Sequence, residues 1–447
     1  MNIKNITFRF YHYLLFLFIC MGFSQTSFGD DDLVSYIRNQ SIILSDPSDL
    51  DLIIDLASDR KLALLGEASH GTHEYYIWRD YISRRLISEQ SFNFIVVEGD
   101  FASLFELNRY VKNLPGAAAS AREVLGNLDR WPRWMWGNEE IVSLAEWLRD
   151  HNNNLPVNER IGFYGMDVYD EWRSKDAVLD LLEQHDNDIF EQVKLYYSCF
   201  QPHRGDSWAY ARNVQQTGSD CSGQTQAVVD LLINSRDELT GMSDYEYFYL
   251  LQNAFVKNNA EKFYRKSVTR QDASSWNSRV HHMHETVNRL LEFYGRDSKG
   301  IVWAHNTHIG DARFTEMYQV GNQNIGELSR VHHGPDNVLS IGFTTFKGKV
   351  MAGSQWGGNE RIKRIVPARR NSIEYIFNKT GLAQFYVVFD DDDRTHDEFM
   401  QPRGHRAVGV VFNPANEQRQ YVNTILPLRY DVFIFFHQTS ELSPLKE

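Results

Sequence analysis

Seven short runs of consecutive apolar residues punctuate the chain, at 62–66, 93–98, 160–166, 300–304, 337–343, 384–389 and 431–436. Strands buried on both faces read this way, without the alternation of a half-exposed strand. Between the first two runs, Glu74 to Gln90 carries Tyr76, Ile77, Tyr81, Ile82, Leu86 and Ile87 at helical spacing. That makes a strand–loop–helix–strand unit, which predicts parallel pairing and a right-handed crossover. Residues 30–60 read as polar helix, with Leu33, Ile37, Leu50, Ile53 and Leu56 as buried points. Two long stretches, about 102–155 and 170–295, hold Leu, Glu, Lys and aromatic residues at helical spacing and no strand-like run. The pattern predicts an α/β fold: a central, mostly parallel or mixed sheet flanked by helices, with a helical lid inserted over the sheet's carboxyl edge. One domain over 30–447 fits better than two separable ones.

The polar residues that end these runs carry the first hint of function. Leu62–Leu65 runs into Gly66-Glu67-Ala68-Ser69-His70-Gly71-Thr72-His73-Glu74. Phe94–Val97 runs into Glu98-Gly99-Asp100, Ile161–Met166 into Asp167, and Ile301–Ala304 into His305-Asn306-Thr307-His308. Ligands of open α/β sheets bind at the carboxyl ends of the strands. Four ends that each deliver an ionisable group therefore predict one shared site and an enzyme.

Composition narrows the choice. The chain has 447 residues and a net charge of −13, which argues against a nucleic-acid partner, because phosphate contacts need basic surface. Lys4 and Arg9, the apolar stretch Tyr13–Cys20 and the small residues around Ser27 and Gly29 read as a signal peptide over residues 1–29. The apolar stretch is short for a membrane span, so an exported protein, periplasmic or secreted, with no lasting span is expected. Beyond the leader only Cys199 and Cys221 remain, and in an oxidising compartment they are expected to pair. The acidic tetrad Asp390–Asp393 reads as a solvated loop. His281-His282 and His332-His333 read as exposed doublets, and Trp131, Trp134 and Trp136 as core.

Several mechanisms are excluded by motif. The chain has no Gly-x-Ser-x-Gly elbow, no His-Glu-x-x-His, no dinucleotide fingerprint and no phosphate-binding loop, so no cofactor is expected. What remains is histidine, carboxylate and arginine. His70 sits in a loop of small residues and suits a general base, its free pKa lying near working pH. Glu67, three residues earlier, can orient the ring. Arg79, on the following helix, can face a strand-end carboxylate or an oxyanion. Glu98 closes an otherwise apolar strand and needs a partner there, for which Arg79 or a histidine would serve. His305 and His308 can donate to an oxyanion or orient water, and His73 and Asp167 are candidates for substrate contact. On paper the same His/Glu cluster would also satisfy zinc.

The segment Leu65–Glu74 resembles the signature of the erythromycin esterase family. Val97–Phe101, Gly162–Asp167, Ser275–Arg279 with His282-Met283, and Trp303–Arg313 resemble its later blocks, in the family's order. The resemblance runs from roughly residue 48 to the C-terminus. It implies hydrolysis of a macrolide lactone by water without a covalent intermediate, in a cleft between a mixed α/β core and a helical lid, and with no metal. On this chain His70 matches the base, and Glu67, Arg79, Glu98, His305 and His308 match its supporting residues. Val280 follows Arg279 where many relatives carry an acid, which would remove a local salt bridge. The expected activity is thus an ester hydrolase acting on a small-molecule ester or macrolactone. A metal-dependent hydrolase and an exported ligand-binding protein without turnover are the alternatives.

Overall fold

A computed structural model describes residues 28–446 apart from 186, 204 and 271. The leader expected over 1–29 lies, but for its last two residues, outside the described residues. The strands are β1 (Ile42–Ile43), β2 (Leu62–Leu65), β3 (Phe94–Asp100), β4 (Gly162–Asp167), β5 (Gly300–Trp303), β6 (Val338–Gly353), β7 (Glu360–Ile365), β8 (Gln384–Val388), β9 (Arg403–Arg406), β10 (Tyr421–Thr424) and β11 (Val432–Thr439). Nine of them make one sheet, in the order β1-β8-β11-β6-β2-β5-β3-β4, with β7 pairing β6 off this path. The six from β11 to β4 run parallel, while β1, β7 and β8 join antiparallel. The sheet is mixed and flanked by helices.

All seven apolar runs become strands, because each is sealed on both faces. One expected pairing is not made: β2 and β3, joined by the helix His73–Gln90, are not neighbours. Strand β5 lies between them, with Leu65 and Val97 both opposite Trp303. Gly300 permits this insertion, since a β-carbon there would overlap the Phe94 ring. Strands β1, β7, β9 and β10 were not foreseen. Strands β1, β7 and β10 are partly exposed, Glu360–Ile365 is mostly charged, and β9 is buried but polar, so no continuous apolar run marks them.

One face of the sheet packs against helices 73–90 and 139–152, around Tyr76, Ile82, Leu144 and Leu148. The other packs against helices 28–40, 101–111 and 274–294, around Leu33, Phe105, Val287 and Leu290. The stretches 102–155 and 170–295 are helical, as expected. The second has a core of its own around Val178, Val193, Val229 and Leu250, and within it Cys199 and Cys221, 22 apart in sequence, are disulfide-bonded. Among the described residues no helix is long and apolar enough to cross a membrane.

Two smaller expectations need correction. Asp393 is buried rather than solvated, because its carboxylate folds back to accept the Asp390 backbone N–H at 2.9 Å. His282 is buried on the inner face of its helix, with Nδ1 3.0 Å from the Asn259 amide, while His281 beside it is exposed.

Candidate active site

Strand register sets the site. Leu65 and Val97 stand level with Trp303, and Val97 with Gly165, so Glu67, Glu98, Asp167 and His305 leave the sheet together. Pairing of β3 with β4 then slips between Val97 and Asp100. Gly165 allows that slip, since a β-carbon there would overlap the Asp100 carbonyl. Such an irregularity re-aims the side chains beside it, here Glu98 and Asp100.

Two networks meet over these ends. In the first, His70 Nδ1 is 2.9 Å from Glu67 Oε1, and Arg79 Nη2 donates to Glu67 Oε2 at 3.0 Å. All three are buried. A carboxylate only accepts, so Nδ1 carries the proton and Nε2 is left as the basic nitrogen of His70. The Arg79 guanidinium also lies over the rings of Tyr76 and Trp303, at 4.4 and 4.6 Å. Burial lowers the His70 pKa, but the Glu67 bond and the Glu98 and Glu67 charges outweigh burial and the opposing Arg279, so the net shift is upward.

The second network is centred on Arg279. Its guanidinium donates to Asp167 Oδ1 and Oδ2 at 2.8 and 2.6 Å and to Glu98 Oε1 at 2.8 Å. Glu98 Oε1 is also 3.2 Å from His308 Nε2, and Oε2 accepts the His305 backbone N–H at 2.9 Å. Burial pushes the Glu98 carboxyl up, but His308, His70 and Arg279 hold it well below the usual range. Val280 is buried in the core, so Arg279 takes its partners from two strand ends rather than from the next residue.

The histidines at the end of β5 differ from each other. His305 Nδ1 accepts the Thr307 backbone N–H at 3.2 Å, which leaves Nε2 protonated. Burial and the nearby His70 push the His305 pKa well below the free value despite Glu98, so this imidazole is neutral. Its ring centre is 4.9 Å from that of His70. The His308 ring stacks on Trp276 at 4.7 Å, 8° from parallel.

A cavity of about 260 Å³ opens above these groups. His70, Glu98, Asp167, Arg279, His305 and His308 form its polar floor. Its walls are Leu104, Leu128, Met135, Trp136, Tyr169 and Trp276. Trp356, which packs 4.7 Å from Trp131, also lines the cavity. On one side Asp100 and Arg130 form an ion pair, and the Tyr169 ring sits between Arg130 and Arg279, at 4.9 and 5.2 Å.

Six of the eight residues singled out from sequence thus line the cavity or directly hold one that does so: His70, Glu98, Asp167, His305 and His308 line it, and Glu67 grips His70. Arg79 stands behind Glu67, outside the lining. His73 is turned away: its Nδ1 is 2.6 Å from Glu140 Oε1, its side chain is 39% exposed, and it is not a lining residue. The first turn of a helix points successive side chains in different directions, so adjacency to His70 did not bring it in. Arg279, Arg130 and Tyr169 were missed as site residues. Two buried carboxylates in need of a cation were the available signal for Arg279. Trp136 lines the cavity and Trp131 packs against the lining residue Trp356, whereas Trp134 is core. Among the described residues no three His, Cys, Asp or Glu side chains are grouped to hold a metal ion.

Ionisable side chains gathered at level strand ends beneath an aromatic-walled cavity define an α/β enzyme. The family model for erythromycin esterase matches residues 87–439, and the chain belongs to the erythromycin esterase family; it is an ester hydrolase. Glu98, Asp167, Arg279, His305 and His308 fall within the matched stretch, while Glu67, His70 and Arg79 precede it. Three solved structures share the fold. A Bacillus cereus protein superposes with a TM-score of 0.77 at 18% identity, covering 93% of this chain and 99% of its own. A succinoglycan biosynthesis protein gives 0.75 at 20% identity, with the same coverage. A histidine-to-asparagine mutant of the erythromycin esterase EreC, in its open conformation, gives 0.63 at 15% identity over 89% of this chain and 95% of that one.

Proposed function

We propose that the protein opens a lactone, that of a macrolide or a related macrocyclic ester, by direct attack of water activated by His70. The His70–Glu67 contact of 2.9 Å at the cavity floor carries this reading. As water attacks the carbonyl carbon, its proton passes to His70 Nε2 and the carbonyl oxygen takes the negative charge. Glu67, itself held by Arg79, stabilises the imidazolium. The neutral His305 is a donor through Nε2–H and stands beside His70, which suits it to the oxyanion. When the tetrahedral species collapses, the ring oxygen leaves and recovers the proton from His70. No side chain becomes acylated.

The size of the cavity bears on substrate. About 260 Å³ is at or below the lower end of small-molecule sites. It takes the ester and one flank of a large ring, and the rest of the ring lies against Trp356 at the mouth. Export is part of the same proposal, supported by the leader-like N-terminus and by a disulfide that suits an oxidising compartment. The test is mass spectrometry of macrolactones of several ring sizes, and of simpler esters, after incubation with the wild type and with His70→Ala. The expected result is a gain of one water with the wild type and none with folded His70→Ala. Unchanged ligands across the panel, or turnover by the variant, refutes the proposal.

A further inference from the structure

Charge along the chain is unevenly spread. Of the eight charged residues between Lys347 and Arg370, seven are basic and only Glu360 is acidic, in a chain of net charge −13. The hairpin of the far half of β6 with β7 carries five of the seven basic residues, and Arg369 and Arg370 follow it. One face of the hairpin is internal: Val350, Ala352 and Ile365 pack with Val408 and Phe412, and Lys363 is tied to the Gly353 and Phe412 carbonyls. On the other face Lys349 stands opposite Arg364, and Ile362 opposite Met351; Met351 is buried against the main core, whereas Lys349, Ile362 and Arg364 are exposed.

The outward face and its tip combine two properties. Ile362 and Trp356 are large apolar side chains 55% and 60% exposed. Arg361 and Arg364 flank Ile362 along β7 and Arg370 follows the strand; all three are exposed and have no ion-pair partner among the described residues. Lys349 has one, Glu441, at 3.8 Å. Surface cations normally find acids in an acidic protein, and isolated apolar residues normally lack a ring of like charge. An indole and an aliphatic side chain flanked by arginines match the boundary of a bilayer carrying anionic headgroups.

We propose that the β6–β7 hairpin docks the protein on an anionic lipid surface. Charge complementarity selects the occupant: the acidic molecule as a whole is repelled by such a surface, whereas this basic, partly apolar hairpin is attracted to it. Trp356 also lines the cavity, so docking brings the cavity mouth to the bilayer, where amphiphilic esters partition. That last consequence rests on the ester-hydrolase reading; the docking itself does not.

The experiment is co-sedimentation of the full chain with phosphatidylcholine vesicles, with and without a third phosphatidylglycerol, at low and physiological salt. Strong binding is expected only with phosphatidylglycerol and should weaken with salt. In the triple variant Arg361→Ser/Arg364→Ser/Arg370→Ser the partition coefficient should fall about a hundredfold, each cation at such a surface contributing a factor of roughly five. Hydrolysis of a soluble ester should be unchanged in that variant, which reports that it is folded. Ile362→Ser should weaken vesicle binding and leave binding to soluble dextran sulfate unaltered. No vesicle binding, equal binding to both vesicle types, or full binding by the folded triple variant overturns the proposal. Binding to dextran sulfate without binding to vesicles overturns it too, and assigns the face to a soluble polyanion.

Discussion

At the scale of single residues, the site is a balance of protonation states. His70 must be neutral to accept a proton, yet Glu67 and Glu98 raise its pKa above the free value of 6.5. The acid limb of kcat/KM should therefore sit above pH 6.5, with activity lost as pH falls through the raised pKa. Stability runs the other way. A group that holds its proton more tightly when folded stabilises fully at low pH, and that contribution fades as pH rises through the raised value. Glu67→Gln removes two of the three raising influences, so its acid limb should move to lower pH; a pH–rate profile that stays in place would contradict the assignment. His70→Ala should lower kcat by about 10²- to 10⁴-fold, the usual worth of a general base, with the melting transition retained. Arg279 poses a different problem, since Glu98 and Asp167 share it. Arg279→Leu leaves two buried carboxylates facing one another and should cost about 3–5 kcal/mol, read from the denaturation midpoint. These contacts were only half legible in the sequence. Glu98 announced its need for a partner, but the partner lies 181 residues away, a distance that no local pattern encodes.

Among the elements, the segment after β11 has a role that its position at the chain end conceals. The Ser440 backbone N–H and hydroxyl donate to Glu74 at 2.8 Å, and its carbonyl accepts the His73 N–H at 3.0 Å. Leu442 N–H reaches the Gly71 carbonyl, the Ser443 carbonyl accepts the Glu139 N–H, and Leu445 N–H reaches Gly137. With the His73–Glu140 pair beneath it, this strap sews the His70 loop to the segment that carries Trp136. Truncation after Thr439 should therefore lower kcat more than it raises KM, by loosening the base rather than the pocket; unaltered kinetics would show that the loop holds itself. The disulfide acts on a different element. It closes a loop within the helical region, so Cys199→Ser/Cys221→Ser should destabilise that region by about 3 kcal/mol and leave turnover of a soluble ester intact at low temperature. A single cooperative loss of both sheet and helices in the variant would argue against a separate core there.

For the molecule as a whole, the buried strands were the most legible feature. An element sealed on both faces is written in consecutive apolar residues wherever it sits, so all seven runs, and the helical character of the stretches between them, could be read directly. Partly exposed elements such as β7 and β10 lack that signature, because solvent accepts many side chains at each position, and β9 lacks it because its buried residues are polar. Strand order was beyond the sequence as well. The β2–helix–β3 unit reads as an adjacent pair, and only packing shows β5 between them, which is what sets His305 beside His70. The buried strands and the helices, the residue types at the strand ends and the class of chemistry these allow could be read along the chain, since burial and side-chain chemistry are local properties. Packing decided which ends meet, that His305 is neutral while the His70 pKa is raised, that His73 faces away, and that Trp356 of the basic hairpin reaches the cavity. Each of these depends on contacts between separate segments of the chain, and those are fixed by packing.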